Sequence, residues 1–167
     1  GIRALETMKE LWSLIDKKIF NCNPIDIAEL MTTTDDYWYC PFAYGYSNYS
    51  RKGYTNNPLT YAGLVQFENN VQLRSTIGGT GLAVSSFSKN ADWSLRFTQW
   101  VVSAEIQSTI YMQHGGQPGH RSAWMNDDAN ILCNNFFKNT LQTLDEAYLR
   151  PRYNKYLFVQ KQPGTTM

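Results

Sequence analysis

Between Pro41 and Tyr54 the chain reads PFAYGYSNYSRKGY, and these residue types suit recognition of a polyol. Tyr44, Tyr46 and Tyr49 alternate with Gly45, Ser47, Asn48 and Ser50. Such rings cover the apolar C–H faces of a sugar while Asn48 bonds its hydroxyls, since polar groups fix orientation in a mostly apolar pocket. The alternation argues against a core helix and for an exposed loop. A tyrosine-rich surface packed on another part of the molecule fits the same composition equally well.

Other groupings are weaker as chemistry. Gly78-Gly79-Thr80-Gly81 lacks the Lys and Ser/Thr of a phosphate loop and precedes an apolar run instead of following one, so no nucleotide motif is present. His114 and His120 stand apart from any cysteine, and the ligand groupings of a metal site are missing. Asp35-Asp36 and Asp127-Asp128 do not form the opposed pair that glycoside hydrolysis requires, and turns or caps explain them more simply. Cys133 with a histidine can be written as a nucleophilic dyad, but it falls on the apolar stripe of a helix pattern and is read as buried. No catalytic residue, metal or cofactor is therefore expected.

The bulk properties agree. The 167 residues suit about one domain, with Lys plus Arg at 15 against Asp plus Glu at 14 and no long run of like charge. That balance gives no electrostatic case for nucleic acid or an anionic membrane. Eleven Tyr, eight Phe and five Trp favour contact with a partly polar ligand or partner. Cys22, Cys40 and Cys133 are odd in number and widely spaced, and read as free thiols, with one disulfide open in an oxidising compartment. No stretch is apolar enough to span a membrane. Because the chain opens on Gly1, either a targeting segment has been removed or the chain is a piece of something longer.

Elements that would position the candidates follow from periodicity and punctuation. Leu5, Met8, Trp12 and Ile15 mark one face of a helix over 2–18. Asn23-Pro24 with Asp26 signals a capped helix through Met31. Tyr37 to Cys40 and Leu82 to Val84 read as strands, and Leu64 to Phe67 as strand or loop. Trp93, Phe97, Trp100, Val101 and Ala104 recur at helical spacing, which predicts a helix from Asp92 to about Met112, stopped at Gly115-Gly116. A last helical pattern starts at Asn126-Asp127-Asp128 and runs to about Leu149. Arg150-Pro151-Arg152 is a rigid basic corner able to bind a carboxylate or bracket sugar hydroxyls, with a structural ion pair as the plainer role. Tyr156 to Val159 is a short apolar segment of unsettled type.

Several of these stretches together carry a family resemblance. GGTGLAVSSFSKNADWSLRFTQWVVSAEIQ, then GGQPGHRSAW, then FFKNTLQTLDEAYLRPRY resemble the C-terminal portion of bacterial extracellular solute-binding proteins of family 1, the receptors of sugar ABC importers. PFAYGYSNY is similar to the segment where that family places a sugar-stacking ring. The resemblance implies an α/β fold, a partial periplasmic-binding-protein-like type II arrangement in which a mixed sheet with flanking helices draws segments from both lobes. Residues 1–60 would belong to the second lobe, 75–125 to the first, and 126–167 would supply second-lobe helices. It also implies a non-enzymatic role: binding a carbohydrate or other small polar solute for an ABC permease, outside the cytoplasm, periplasmic or lipid-anchored in a full-length parent. The ligand-binding positions it implies are Phe42, Tyr44, Tyr46, Asn48, Gly79, Thr80, Gln117, His120 and Arg121. Exposed edges and apolar faces of such a fragment favour oligomers. A secreted carbohydrate-active enzyme and a protein-interaction module using the tyrosine loop are the alternatives.

Overall fold

The computed structural model describes residues 1–41, 43–67 and 71–161. Helix makes up 50% of the described residues and strand 2%. The helices are α1 (Ile2–Leu14), α2 (Pro24–Thr33), α3 (Ala91–Val101), α4 (Ala104–Ile106), α5 (Arg121–Trp124), α6 (Asp127–Leu132), α7 (Phe136–Asp145) and α8 (Tyr156–Lys161). A wide π turn, Gln107–Tyr111, extends α4, and tight 3-10 turns occupy Lys17–Asn21 and Ser47–Ser50. Two residues on each side, β1 (Gln66–Phe67) and β2 (Val71–Gln72), form an antiparallel pair, and Thr76 makes an isolated parallel bridge to Tyr148.

The expected α/β mixed sheet is therefore wrong for this chain. Tyr37 to Cys40 and Leu82 to Val84 have strand-favouring residues but join no ladder among the described residues. Strand preference measures fit against a neighbouring pleated surface, and without one the preference is idle. Trp38 is accordingly 79% exposed and Leu82 56%.

Local signals for helices fared better. Asn23 caps α2 through Oδ1, accepting from the amides of Ile25 (2.8 Å) and Asp26 (3.1 Å), while Asp26 accepts from the Asn23 amide at 2.9 Å. The long helix predicted from Asp92 is interrupted after Val101, where Ser103 takes extended backbone and caps the next helix. Its predicted stop is present. Gly115 takes the left-handed φ of 93°, its amide bonds to Met112, and the Gly116 amide reaches Tyr111, the double bond of a Schellman ending. The predicted last helix is also split, because Asn134 and Asn135 adopt φ of 49° and 58° between α6 and α7. Asparagine tolerates that region better than most side chains.

The core lies on α5, α6 and α7 and the end of the π-turn helix. Met112, Trp124, Ala129, Cys133, Phe136 and Phe137 are buried together, with Tyr61, Leu132, Leu141 and Leu144 packed around them. Ring pairs meet edge to face, Trp124 with Phe137 at 5.2 Å and Phe136 with Phe137 at 5.3 Å, the arrangement ring quadrupoles favour. Polar groups within this core are paired: Trp124 Nε1 donates to the Pro118 carbonyl (2.7 Å), and Asn130 Nδ2 to the Trp124 and Asn126 carbonyls (2.9 Å each). By contrast, the buried hydroxyls of Ser47, Thr55 and Thr143 have no partner among the described residues. α1 and α3 contribute no buried residue. No helix among the described residues is long and apolar enough to cross a membrane.

Candidate functional site

The tyrosine-rich segment is neither a wholly exposed loop nor a wholly packed one. Its second half turns inward: Ser47, Tyr49, Ser50 and Arg51 are buried. The Arg51 guanidinium closes the C-terminus of the π-turn helix, donating through Nη2 to the Met112 carbonyl (2.5 Å), through Nη1 to Gln113 (3.3 Å) and through Nε to Asn48 Oδ1 (3.2 Å). Tyr49 OH donates to Glu29 on α2 at 2.7 Å, and burial, with Glu29 adding to it, pushes that hydroxyl above its usual range. The first half faces outward, with Tyr44 45% and Tyr46 38% exposed.

Gln117 fixes this loop from the opposite side. Its Oε1 accepts from the Ser47 amide at 2.8 Å, and its Nε2 donates to the Gly45 carbonyl at 3.2 Å. The 117–121 loop is itself held by buried Gln107, whose Oε1 accepts from the Gly119 amide (2.7 Å) while its Nε2 donates to Val101 (2.8 Å). His120 caps α5, its Nδ1 accepting from the Ser122 amide at 3.3 Å. Arg121 forms a two-pronged pair with Asp145 at 2.5 and 2.9 Å, and that guanidinium holds the Asp145 carboxyl below the usual carboxylate range.

A third segment completes the arrangement. The Tyr148 amide donates to Ser75 (2.7 Å) and the Ile77 amide to Tyr148 (3.0 Å), which sets 75–77 alongside the chain leaving α7. At the next residue a Cβ on Gly78 would lie 3.1 Å from the Tyr44 ring, so glycine permits this close approach. Four segments are thereby linked in a closed circuit: the Tyr44 loop to Gly78, 75–77 to Tyr148, Asp145 to Arg121, and Gln117 back to Gly45 and Ser47.

Of the positions the resemblance implies, Tyr44, Gln117 and Arg121 are links of this circuit. Tyr46 lies in the same loop, and exposed Gly79 and Thr80 continue directly from Gly78. Asn48 is turned inward toward Arg51 and Gly115, and His120 is occupied as a cap. Phe42 lies outside the described residues. Sequence reasoning missed Arg51, Gln107, Asp145 and Tyr148, which carry contacts across 24 to 73 residues of chain or brace the loops that do. Only Arg51 had a signal, as one of two adjacent cations, with Lys52, in a segment otherwise of small residues and rings.

Cys133 is fully buried, and burial pushes its thiol up. Among the described residues no group of three or more His, Cys, Asp and Glu side chains is placed to hold a metal. Two open hollows lie outside the circuit. One of about 400 Å³ is lined by Lys52, Met112, Gln113, Asp128, Ile131 and Leu132, and one of about 580 Å³ runs between Met31 and Trp38 on one side and Asn57 and Leu59 on the other. No family model, curated protein or solved structure matches the chain.

Proposed function

We propose that this chain is a non-enzymatic, carbohydrate-binding member of the extracellular solute receptors that serve ABC permeases. The observation that carries the reading is the closed circuit, which joins residues as far apart as Gly45 and Gln117, and Asp145 and Arg121, around two outward-facing tyrosine rings. Tyr44 and Tyr46 offer ring faces to a sugar's C–H surface, and Thr80 with the backbone amides beside it offers hydroxyl partners. The carboxylates Glu29 and Asp145 each serve a structural partner, Tyr49 and Arg121. The sugar would be handed to a permease outside the cytoplasm. Calorimetric titration against mono- and oligosaccharides tests this: saturable binding weakened at least about tenfold by Tyr44→Ala supports it, and no heat from a broad panel with folded protein refutes it.

A second reading, recognition of a protein through the tyrosine surface, is favoured by the position of both hollows outside the circuit, which leaves Tyr44 and Tyr46 on open ground. Mutual exclusion separates the readings. A captured partner displaced by sugar belongs to the first, and one indifferent to sugar but lost with Tyr44→Ala belongs to the second.

A further inference from the structure

The hollow of about 580 Å³ beside the end of α2 has no part in the circuit around Tyr44. Its volume lies in the range of small-molecule sites. Tyr37 and Trp38 line it, together with the apolar side chains of Met31 and Leu59.

Five of the lining side chains can donate a hydrogen bond, and each already does so to an oxygen of the chain. The Thr33 and Thr34 hydroxyls turn back to the carbonyls of Glu29 (2.6 Å) and Leu30 (2.9 Å), and Asn57 Nδ2 reaches the Thr32 carbonyl (3.2 Å). Trp38 Nε1 donates to the Asp35 carbonyl at 2.6 Å, and the Tyr37 hydroxyl to Asp16 Oδ2 at 2.9 Å. Among the described residues no lysine, arginine or histidine lines the hollow. What the side chains keep for a ligand is therefore acceptors and ring surface. The Asp35 carboxylate, the one formal charge on the wall, has no hydrogen bond or ion pair with any described residue.

Such a wall offers an anion no side-chain donor, and it suits a cation. An ammonium within about 6 Å of a ring centre is attracted by the negative face of the quadrupole. A phenol or indole that gives its proton to an oxygen becomes more electron-rich, which strengthens that attraction. The bond to Asp16 raises the Tyr37 hydroxyl above its usual range, with burial and the charge of Asp36 adding to it, so two further carboxylates act on this ring. Lys18 offsets part of the charge of Asp16. The chain already uses this kind of contact once, where Arg96 lies over Trp93 at 5.4 Å.

We propose that this hollow is a second binding site, separate from the Tyr44 surface, for a small organic ammonium ion of the choline type, held against Trp38 and Tyr37 and balanced by Asp35. A methylated ammonium is weakly hydrated and gives up little on exchanging water for a ring. The site stands independently of the carbohydrate reading. Because the hollow is open, part of the ion stays in water, and a Kd of about 1 mM is expected.

The test follows amide shifts of the full chain during titration with choline, with tetramethylammonium and with the uncharged analogue of choline in which carbon replaces nitrogen. Both ammonium ions are expected to shift amides around Met31 to Trp38 and Asn57 to Leu59 saturably, and the uncharged analogue to leave them in place. Trp38→Ala should weaken choline binding at least about fivefold, Trp38→Phe should retain part of it, and Asp35→Asn should weaken it by about two- to fivefold. Trp93→Ala, which removes another exposed indole, should change nothing, and circular dichroism confirms that each variant is folded. Co-sedimentation with phosphatidylcholine vesicles that free choline reverses would support a lipid headgroup as the source of the ion, and choline binding without co-sedimentation a free solute. Equal binding of the uncharged analogue, choline binding unchanged in both Trp38→Ala and Asp35→Asn, or no saturation by either ammonium ion overturns the assignment. None of these results touches the sugar titration, which turns on Tyr44→Ala.

Discussion

Two parts of this molecule use the same residue types to opposite effect. On α5 to α7, Trp124, Phe136 and Phe137 are almost wholly buried and meet edge to face. On α3, Trp93, Phe97 and Trp100 are at least 48% exposed, and on α1 Trp12, stacked on Phe20 at 3.7 Å, is still 59% exposed. Both regions have apolar residues at helical spacing. What separates them is polar bracing from distant loops: Arg51, Gln107 and Gln117 tie loops 12 to 72 residues away to the α5–α7 region. Among the described residues, the side-chain bond to α3 from outside it that reaches furthest along the chain is Gln107 to the Val101 carbonyl at its C-terminal end, six residues away. Helical periodicity establishes that a face exists; what covers it is decided by contacts from elsewhere in the chain.

The largest effect expected from this contrast is in ring deletion. Phe137→Ala should destabilise by about 3–5 kcal/mol, combining lost burial with a cavity, whereas Phe97→Ala on α3 should lie within about 0.5 kcal/mol of wild type. Paired urea titrations measure both, and equal losses would show that α3 is packed in solution.

Next comes Arg51. Replacing it with Met leaves the Met112 and Gln113 carbonyls without their donor, and a loss of about 2–3 kcal/mol is expected. Arg96, which lies over the exposed Trp93 ring at 5.4 Å, should lose only about 0.5–1 kcal/mol on the same change.

Tyrosine hydroxyls repeat the contrast at smaller scale. Tyr49→Phe removes the bond to Glu29 from a buried ring and should cost about 1 kcal/mol. Tyr37→Phe removes an exposed bond to Asp16 and should cost less.

The smallest effect is on acidity. Asp127 beside Lys138, and Asp145 beside Arg121, have carboxyls held below the ordinary value of 3.8. A depressed carboxyl contributes stability that is complete above its unfolded value and lost as pH falls through the folded one. Unfolding midpoints should therefore be flat above about pH 5 and fall below pH 4, by less in Asp145→Asn than in wild type. Because these pairs are exposed, the difference should shrink in high salt.

Much of the local structure was legible in the sequence. The Asn23-Pro24-Asp26 cap, the Gly115-Gly116 stop and the start at Asn126 all depend on neighbours within a few residues, and each lies where the residues imply. The buried reading of Cys133 followed from its place on an apolar stripe. The strands at 37–40 and 82–84 failed because a strand is a property of a pair, and one segment's preference does not supply its partner. The breaks at Ser103 and at Asn134-Asn135 were hidden by apolar periodicity that continues through both. For the site, residue types pointed to Tyr44 and Tyr46, but Gln117, Arg121 and Asp145 acquire meaning only from contacts 24 to 72 residues long.

The measurement closest to the central claim is two-dimensional amide chemical-shift mapping of the isotopically labelled chain during titration with a saccharide that binds by calorimetry. The account predicts that the shifted amides cluster at 44–46, 78–80, 117–121 and 148, with α1 and α3 silent. Shifts confined to the hollow at Met31 and Trp38, or spread over the exposed rings of α3, would contradict it.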